Sequence, residues 1–420
     1  MTSSPPRHTV VIATSSYPRF PGDLTGTAVE PIARGVAARG HAVHVVAPWH
    51  PLVRRGDVED GIHYHFYRYA PVPALNVFGY AGSLRADVSM KGAAYAAAPF
   101  AVLAGMRMVR RVVREHGATL IHAHWAIPSG VIAAAGASDL PLVISLHGSD
   151  IFVAERNGLA RLAARRAFRR ADRVTGCSAD LRDRAVALGA DDSRAETLLH
   201  GVDASRFTPN ADTRARVRAE HGIGADDPIV FAVGRLVRKK GFEHLIDAVA
   251  SLAPRHPRLR LVIAGGGDLD AELRERAAAG GVADHVMFLG AVAHGTVADW
   301  LAAADISAAP SVVDDAGNVD GLPNTVLEAL ASATPVVATL AGGIGAVAVD
   351  GETALIVPER DAGALAGAIE TLVQDPALGA RIGQTARQRM QTEQTWARVA
   401  ERFEQAYALA ADHRASLASS

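Results

Sequence analysis

Short apolar runs rich in β-branched residues alternate with longer segments of helical periodicity along nearly the whole chain, and this rhythm restricts the fold more than any other feature. The first half carries HTVVIAT, HAVHVVAP, IHYHFYRY, ATLIHAH, LPLVISLHG and RVTGCS. The second carries PIVFAVG, LRLVIAGGG, HVMFLG, DISAAP, TPVVAT and TALIVP. Runs without strict alternation suit strands covered on both faces, which implies parallel sheets flanked by helices. The segment GFEHLIDAVASLA supplies the matching helical signal, with Phe242, Leu245, Ile246, Val249 and Leu252 on one stripe. At 420 residues the chain is too long for one ordinary core, so an α/β fold of two doubly wound halves is expected.

The break falls in HGVDASRFTPNADTRARVRAEHGIGADDP, residues 200–228, which is polar, contains Pro and Gly, and ends where a new strand begins. The expected organisation is a first domain over 1–205, a linker over 206–227, a second domain over 228–385 and a helical tail over 386–420 with Trp396, Phe403 and Tyr407. No solenoid repeat is visible.

A formal net charge of -1 gives no global positive field, so nucleic acid is not an expected partner. The single cysteine, Cys177, rules out an internal disulfide framework and fits a reducing compartment. The apolar run near the N-terminus is too short for a signal-peptide core. Residues 93–106 are broken by Pro99, stopped by Arg107, and fall short of the roughly 20 residues a spanning helix needs. A cytoplasmic, non-integral protein is expected.

In open α/β sheets, ligands bind beyond the carboxyl ends of the strands. The candidates are therefore SSYPRFPGDLTGT after the first strand, HGSD at 147–150, GRLVRKKG at 234–241, GGGD at 265–268 and SVVDDAGNVDGLPN at 311–324. Two such edges facing each other would make a cleft. In DGLPNTVLE, Gly321 permits a tight turn and Pro323 suits the first position of a helix, whose N–H groups attract phosphate or polarised hydroxyls. Asp320 and Glu328 add acceptors for a polyhydroxylated ligand; an ordinary capped helix with two solvated acids is the alternative. Arg235 offers a planar fork and Lys240 a point charge, a pair suited to a diphosphate or else a solvated surface loop. His147 ends a strand in the opposite half. His122 and His124 share one side of theirs, but no third metal ligand is evident. The chain lacks G-x-G-x-x-G after its first strand, a Walker lysine-serine pair and a G-x-S-x-G elbow.

These motifs, in this order, resemble glycosyltransferase family 4, retaining enzymes of GT-B fold. The similarity runs from about Val10 to Tyr407 through GDLTGTAVEPIARGVAARGHAVHVVAP, IHAHW, SLHGSD, HGVDASRFTP, GRLVRKKGFEHLIDA, LVIAGGGD, FLGAV, PSVVDDAGNVDGLPNTVLEALASATPVVAT and GGIGAVAVDGETALIVPERD. It implies two Rossmann-like domains facing a central cleft, an N-terminal acceptor domain, a C-terminal nucleotide-sugar domain and a last helix crossing back to the first domain. The reaction implied is transfer of a sugar from a nucleotide-diphosphate donor, UDP-sugars among them, to an acceptor hydroxyl. No cofactor or protein-bound metal is implied. By carry-over, Asp320 takes the place usually held by Glu and, with the backbone at Gly321, Leu322, Pro323 and Asn324, holds donor-sugar hydroxyls. Glu328 holds the ribose, Arg235 and Lys240 the diphosphate, His147 stands near the transferred sugar, and Gly26 and Thr27 lie in the loop approaching donor and acceptor. His200 stands where the family commonly has Asn, and Gly345 and Ala346 stand where it often has Pro and Glu. Surface glycan or exopolysaccharide synthesis is the implied setting, with a glycan, glycolipid or small-molecule acceptor. The rivals are a nucleotide-sugar 2-epimerase of the same fold and a non-catalytic sugar-nucleotide-binding protein.

RNGLARLAARRAFRRADR, residues 156–173, carries the largest local charge. A helical wheel puts Arg161, Arg165, Arg166, Arg169, Arg170 and Arg173 on one half, and Ala160, Ala163, Ala164, Ala167, Phe168 and Ala171 on the other. Such a face is either solvated or docks peripherally on an anionic membrane.

Overall fold

The computed structural model describes residues 7–23, 25–76, 79–80, 84–85, 89–90 and 92–419; the polar start over 1–6 lies outside them. The chain divides into two units, Met1–His200 with Trp396–Ser420, and Gly201–Thr395.

In the first unit the apolar runs become strands and the periodic segments helices. They follow in the order β1 (Thr9–Thr14), α1 (Val29–Ala38), β2 (Ala42–Pro48), β3 (Val58–Glu59), β4 (Ile62–Tyr67), β5 (Leu84–Arg85), β6 (Ser89–Met90) and α2 (Gly92–His116). Then come β7 (Leu120–His124), α3 (Val131–Gly136), β8 (Leu142–Leu146), α4 (Ser149–Arg156), α5 (Gly158–Arg170), β9 (Arg173–Gly176), α6 (Ala179–Ala187) and β10 (Ala195–Thr197). The main sheet runs β10-β9-β8-β7-β1-β2-β4-β3, parallel except for the β3–β4 hairpin, while β5 and β6 form a separate antiparallel ribbon. The chain winds from β1 out to β4 and returns to β7, so the switch in direction lies between β1 and β7.

Side chains alternate across the strands. Val10, Ile12, Val43 and Val45 pack on Val29, Ile32 and Val36 of α1 and on Val399, Phe403 and Tyr407 of the closing helix, Trp396–Ala418. Each such buried side chain contributes on the order of 1.5–3 kcal/mol of transfer free energy. Polar pins fix the register of that helix: Glu404 accepts from Arg39 Nε at 2.7 Å and lies 3.1 Å from His41 Nε2, and Asp172 lies 2.7 Å from His413 Nδ1.

The second unit contains α7 (Ala211–Glu220), β11 (Ile229–Val233), α8 (Phe242–Leu252), β12 (Arg260–Ala264), α9 (Asp270–Ala279), β13 (Val286–Gly290) and α10 (His294–Ala303). It continues with β14 (Ile306–Ala309), α11 (Asn324–Ala331), β15 (Val336–Ala338), β16 (Leu355–Ile356), α12 (Ala362–Gln374) and α13 (Pro376–Glu393). Its sheet runs β13-β12-β11-β14-β15-β16, parallel throughout, with the switch between β11 and β14. The stripe read on α8 is buried as a set, against the α12 residues Leu365, Ile369 and Leu372 among others.

Two boundaries differ from the sequence expectation. Residues 206–227 are a folded part of the second unit: Arg218, 3% exposed, donates to the carbonyls of Ala303, Gly224, Ala225 and Asp227, and reaches Asp305 Oδ2 at 2.6 Å. Arg214 reaches Asp305 Oδ1, also at 2.6 Å. The segment reads as a linker because charged side chains make its buried contacts. At the other end α13 stays with the second unit, and the division falls at Thr395/Trp396 instead of 385/386. In addition, α2 runs through the exposed Pro99 and past Arg107 to His116; packing along its length outweighs one lost hydrogen bond. Among the described residues no helix is long and apolar enough to cross a membrane.

Candidate active site

In the second unit the residues singled out from the sequence gather on loops after β11 and β14, the strands flanking the switch, where an open α/β sheet offers its ligand crevice. After β11 the chain turns through Gly234 and exposed Arg235 into a 3-10 turn, Arg238–Lys240. The backbone N–H of Val312, after β14, donates to Lys239 O at 2.9 Å and ties the two loops together. Lys239 Nζ lies 2.9 Å from Asp320 Oδ1, and Lys240 Nζ lies 2.5 Å from Asp320 Oδ2, with all three side chains largely buried. Burial alone would push the Asp320 carboxyl up, but the ammonium groups of Lys240 and Lys239 outweigh it and hold the acid well below the usual carboxylate range. Sequence reading assigned Lys240 a phosphate and Asp320 a sugar hydroxyl; the structure pairs the two with each other and adds Lys239.

The backbone of Asp320 is itself clamped. Gly342, in the GGIGA loop after β15, has φ +65°, and a Cβ there would stand 1.9 Å from Asp320 O, so only glycine lets this loop close on the acid. Gly321, Leu322 and Pro323 are buried in the turn that follows. Pro323 occupies the cap of α11 instead of its first turn, its φ of -66° and extended ψ of 118° delivering the chain to Asn324. Among the described residues no side chain caps this helix start. One turn on, Glu328 is buried, and its Oε1 lies 2.7 Å from Nε2 of His294 at the start of α10. His294, whose ring is tilted against that of Phe207 at 5.2 Å, leaves no mark in the sequence because 34 residues separate it from its partner.

In the first unit the glycine loop after β1 is organised by Asp23, another residue sequence reading passed over. Arg19 Nε and Thr25 Oγ1 each donate to Asp23 Oδ2 at 2.6 Å. Burial raises this carboxyl, but those hydrogen bonds win and keep it well below the usual range. Gly26 has φ +63° and a Cβ there would stand 2.6 Å from Ser16 O; its carbonyl accepts from Val29 N at the start of α1, and Thr27 is half-buried in the same turn.

His147, just past β8, sits in a row of imidazoles. Its Nε2 is 2.9 Å from His124 Nδ1 and its Nδ1 is 3.3 Å from His200 Nε2, while its ring lies 4.6 Å from that of Trp125. Burial first, and the neighbouring imidazoles after it, hold His147 and His124 well below the ordinary histidine range, so both are neutral at neutral pH. The turn that positions His147 is pinned by buried Asp150, which accepts from Ala126 N at 2.7 Å and Gly148 N at 3.2 Å, and whose carboxyl burial pushes up to about 6 against those bonds. His122 is a satisfied core residue, 2.9 Å from Tyr407 OH and 2.7 Å from Ser145 Oγ. The Nε2 of His124, by contrast, is buried without a hydrogen-bond partner.

The basic helix also differs in detail from the wheel. It spans Gly158–Arg170 and buries Ala164, Ala167 and Phe168. Arg161, Arg165, Arg166 and Arg169 are exposed, whereas Arg170 pairs with Asp172 at 3.1 Å and Arg173 lies beyond the helix in β9. Two apolar side chains share the exposed face, Leu159 at 81% and Leu162 at 62%.

Comparison with known proteins bears on this arrangement as a whole. A family model described as Glycosyltransferase Family 4 matches residues 25–206, and one described as Glycosyl transferases group 1 matches residues 213–389. A GDP-mannose-dependent alpha-(1-6)-phosphatidylinositol monomannoside mannosyltransferase of Mycolicibacterium smegmatis is 35% identical over 278 residues, 66% of this chain and 72% of the relative. The Mycobacterium tuberculosis (strain ATCC 25618 / H37Rv) protein of the same description is 30% identical over 393 residues, 92% of this chain and 94% of the relative. Among solved structures, Anabaena Alr3699/HepE in complex with UDP superposes with a TM-score of 0.74 at 20% identity, covering 94% of this chain and 98% of that one. The two parallel-sheet units are thus those of the GT-B fold, and the chain belongs to glycosyltransferase family 4, the group 1 glycosyltransferases.

Proposed function

We propose that this glycosyltransferase moves a sugar from a nucleotide-diphosphate donor to an acceptor hydroxyl with retention of anomeric configuration, without a protein-bound catalytic metal, in the synthesis of a surface glycan. The observation that carries the reading is the Lys239–Asp320–Lys240 cluster at the strand switch of the second unit, with Arg235 on the same loop as the lysines and Glu328 one turn into α11. Three cations and one carboxylate leave two positive charges, matched to a diphosphate. As the anomeric bond breaks, negative charge grows on the leaving phosphate, and Lys240, Arg235 and the start of α11 stabilise it. Asp320 and the backbone from Gly321 to Asn324 orient the sugar hydroxyls, and Glu328, steadied by His294, offers Oε2 to the ribose. Neutral His147 stands by the transferred sugar, Gly26 and Thr27 approach donor and acceptor, and the donor phosphate takes the acceptor proton.

The relatives named as GDP-mannose-dependent enzymes acting on a phosphatidylinositol monomannoside support GDP-mannose as the first donor to test and a lipid-linked acceptor as the first acceptor class. Helix α5 supports the same acceptor class. Its four exposed arginines and two exposed leucines suit docking at the cytoplasmic face of an anionic membrane, each arginine contributing about 1 kcal/mol. The test is a thermal-shift screen of GDP, UDP, ADP and their sugars, followed by turnover with the stabilising donor and determination of the product's anomeric configuration. An inverted glycosidic linkage, release of an isomerised free sugar, or saturable binding without turnover over a broad acceptor panel would each overturn the proposal.

A further inference from the structure

The first unit carries a second cluster of imidazoles that the glycosyl-transfer reading does not use. His44 on β2 pairs in register with His63 on β4, and His65 lies two residues farther along β4, so all three project from the same face of the sheet. Their neighbours Val43, Val45, Ile62 and Tyr64 project to the other face, into the core shared with α1 and the closing helix. On the histidine face lies α2, whose last residue is His116. The ring of His116 stands 4.2 Å from that of His44 and 5.4 Å from that of His65. His44 Nδ1 and His65 Nε2 are 3.1 Å apart, and one nitrogen from each of His44, His65 and His116 lies within 4.8 Å of the other two. His63 stacks on His44 at 4.6 Å.

We propose that His44, His65 and His116 form a binding site for a divalent transition metal, zinc foremost. Tetrahedral zinc with Zn–N bonds of about 2.0–2.1 Å holds its ligand nitrogens roughly 3.3 Å apart. The His44–His65 pair, at 3.1 Å, is within about 0.2 Å of that spacing, and His116, exposed at a helix end, has the rotational freedom to complete the set. Imidazole-only coordination selects zinc, copper or nickel over magnesium or calcium, which require oxygen. The fourth position is open to water. Strands β2 and β8 are separated by β1 and β7, so this cluster lies roughly 14 Å or more across the sheet from the strand that ends at His147. The metal therefore acts as a clamp between the end of α2 and strands β2 and β4, and takes no part in sugar transfer.

The experiment is calorimetric titration of zinc chloride into the full-length, tag-free chain after treatment with EDTA and removal of the chelator. The site predicts one zinc per chain, a rise in Tm on binding, and reversal by EDTA. His65→Ala and His116→Ala should each weaken binding by at least about a hundredfold, more than loss of an outer-shell partner does, while His147→Ala binds zinc as the unaltered chain does. Because His116 is an exposed helix terminus, its variant folds and the comparison stands even if His65→Ala does not. Absence of saturable zinc binding by the folded chain, or unchanged affinity in His116→Ala, would overturn the site and leave a cluster of four packed imidazoles.

Discussion

Lys239 and Lys240 are adjacent, similarly buried and both paired with Asp320, so replacing each in turn separates chemistry from charge balance. Two unit charges about 4 Å apart interact by roughly 4 kcal/mol at an effective dielectric constant near 20. If about two thirds of a charge accumulates on the leaving phosphate between ground and transition states, Lys240→Ala should cost about 2.7 kcal/mol, or on the order of a hundredfold in kcat. Donor affinity should fall less, because the ground-state diphosphate keeps Arg235 and the start of α11. Lys239→Ala removes the same charge from Asp320 without removing the proposed phosphate partner, and should lower kcat by no more than about tenfold. Initial rates give kcat for each variant, and calorimetry with the donor gives Kd. Equal losses in both variants, or a Lys240→Ala effect confined to Kd, would refute transition-state stabilisation by Lys240 and reduce both lysines to partners of the buried acid.

Glu328→Gln should weaken donor binding by about 1.5–3 kcal/mol, the worth of a charge-assisted hydrogen bond, and an unchanged donor Kd would remove Glu328 from the ribose. Activity should survive EDTA, and complete loss restored by magnesium or manganese would overturn metal-free catalysis. Stability measured in EDTA should be level above about pH 6.5 and fall toward pH 5, because His44, His65 and His122, lowered to about 4, 4 and 3, stay neutral in the native state while the unfolded imidazoles take up protons. Asp150, raised to about 6, opposes this trend in the same window, so a Tm constant from pH 7 to 5 would mean the histidine shifts are too small to prevail. Liposomes rich in anionic lipid should co-sediment the protein at low salt and release it at high salt, with Leu159→Ser weakening attachment; equal, negligible binding to anionic and neutral vesicles would leave α5 a solvated face.

The strands of both sheets were legible because burial on two faces demands continuous apolar runs, and the twelve quoted runs fall on β1, β2, β4, β7, β8, β9 and β11–β16. Short edge elements left no such trace. The β3 strand has two residues, one exposed and one half-buried, and β10 has three with only Ala195 buried, so neither leaves an apolar run to read. The folded character of 206–227 was hidden for a different reason: Arg218 replaces an apolar anchor with a guanidinium saturated by carbonyls and Asp305, and sequence patterning scores such a residue as solvent-facing.

The candidate site shows the same division between local and distant information. Arg235, Lys240, Asp320 and Glu328 were legible because each belongs to a strand–loop–helix unit whose local chemistry suits anions or hydroxyls. The pairings were not, because a hydrogen bond across dozens of residues leaves no periodic mark: His294 meets Glu328 across 34 positions, His124 meets His147 across 23, and His200 meets His147 across 53. His200 is the instructive case. In sequence it registered only as a departure from the asparagine common in the family; in the structure it faces Nδ1 of His147 at 3.3 Å. An asparagine amide in that place could also exchange one hydrogen bond with the ring, but an imidazole brings a group that titrates, and a protonated His200 would repel a proton from His147. The substitution therefore reinforces the neutral state of His147 that burial already favours, an electrostatic consequence that only the spatial pairing exposes.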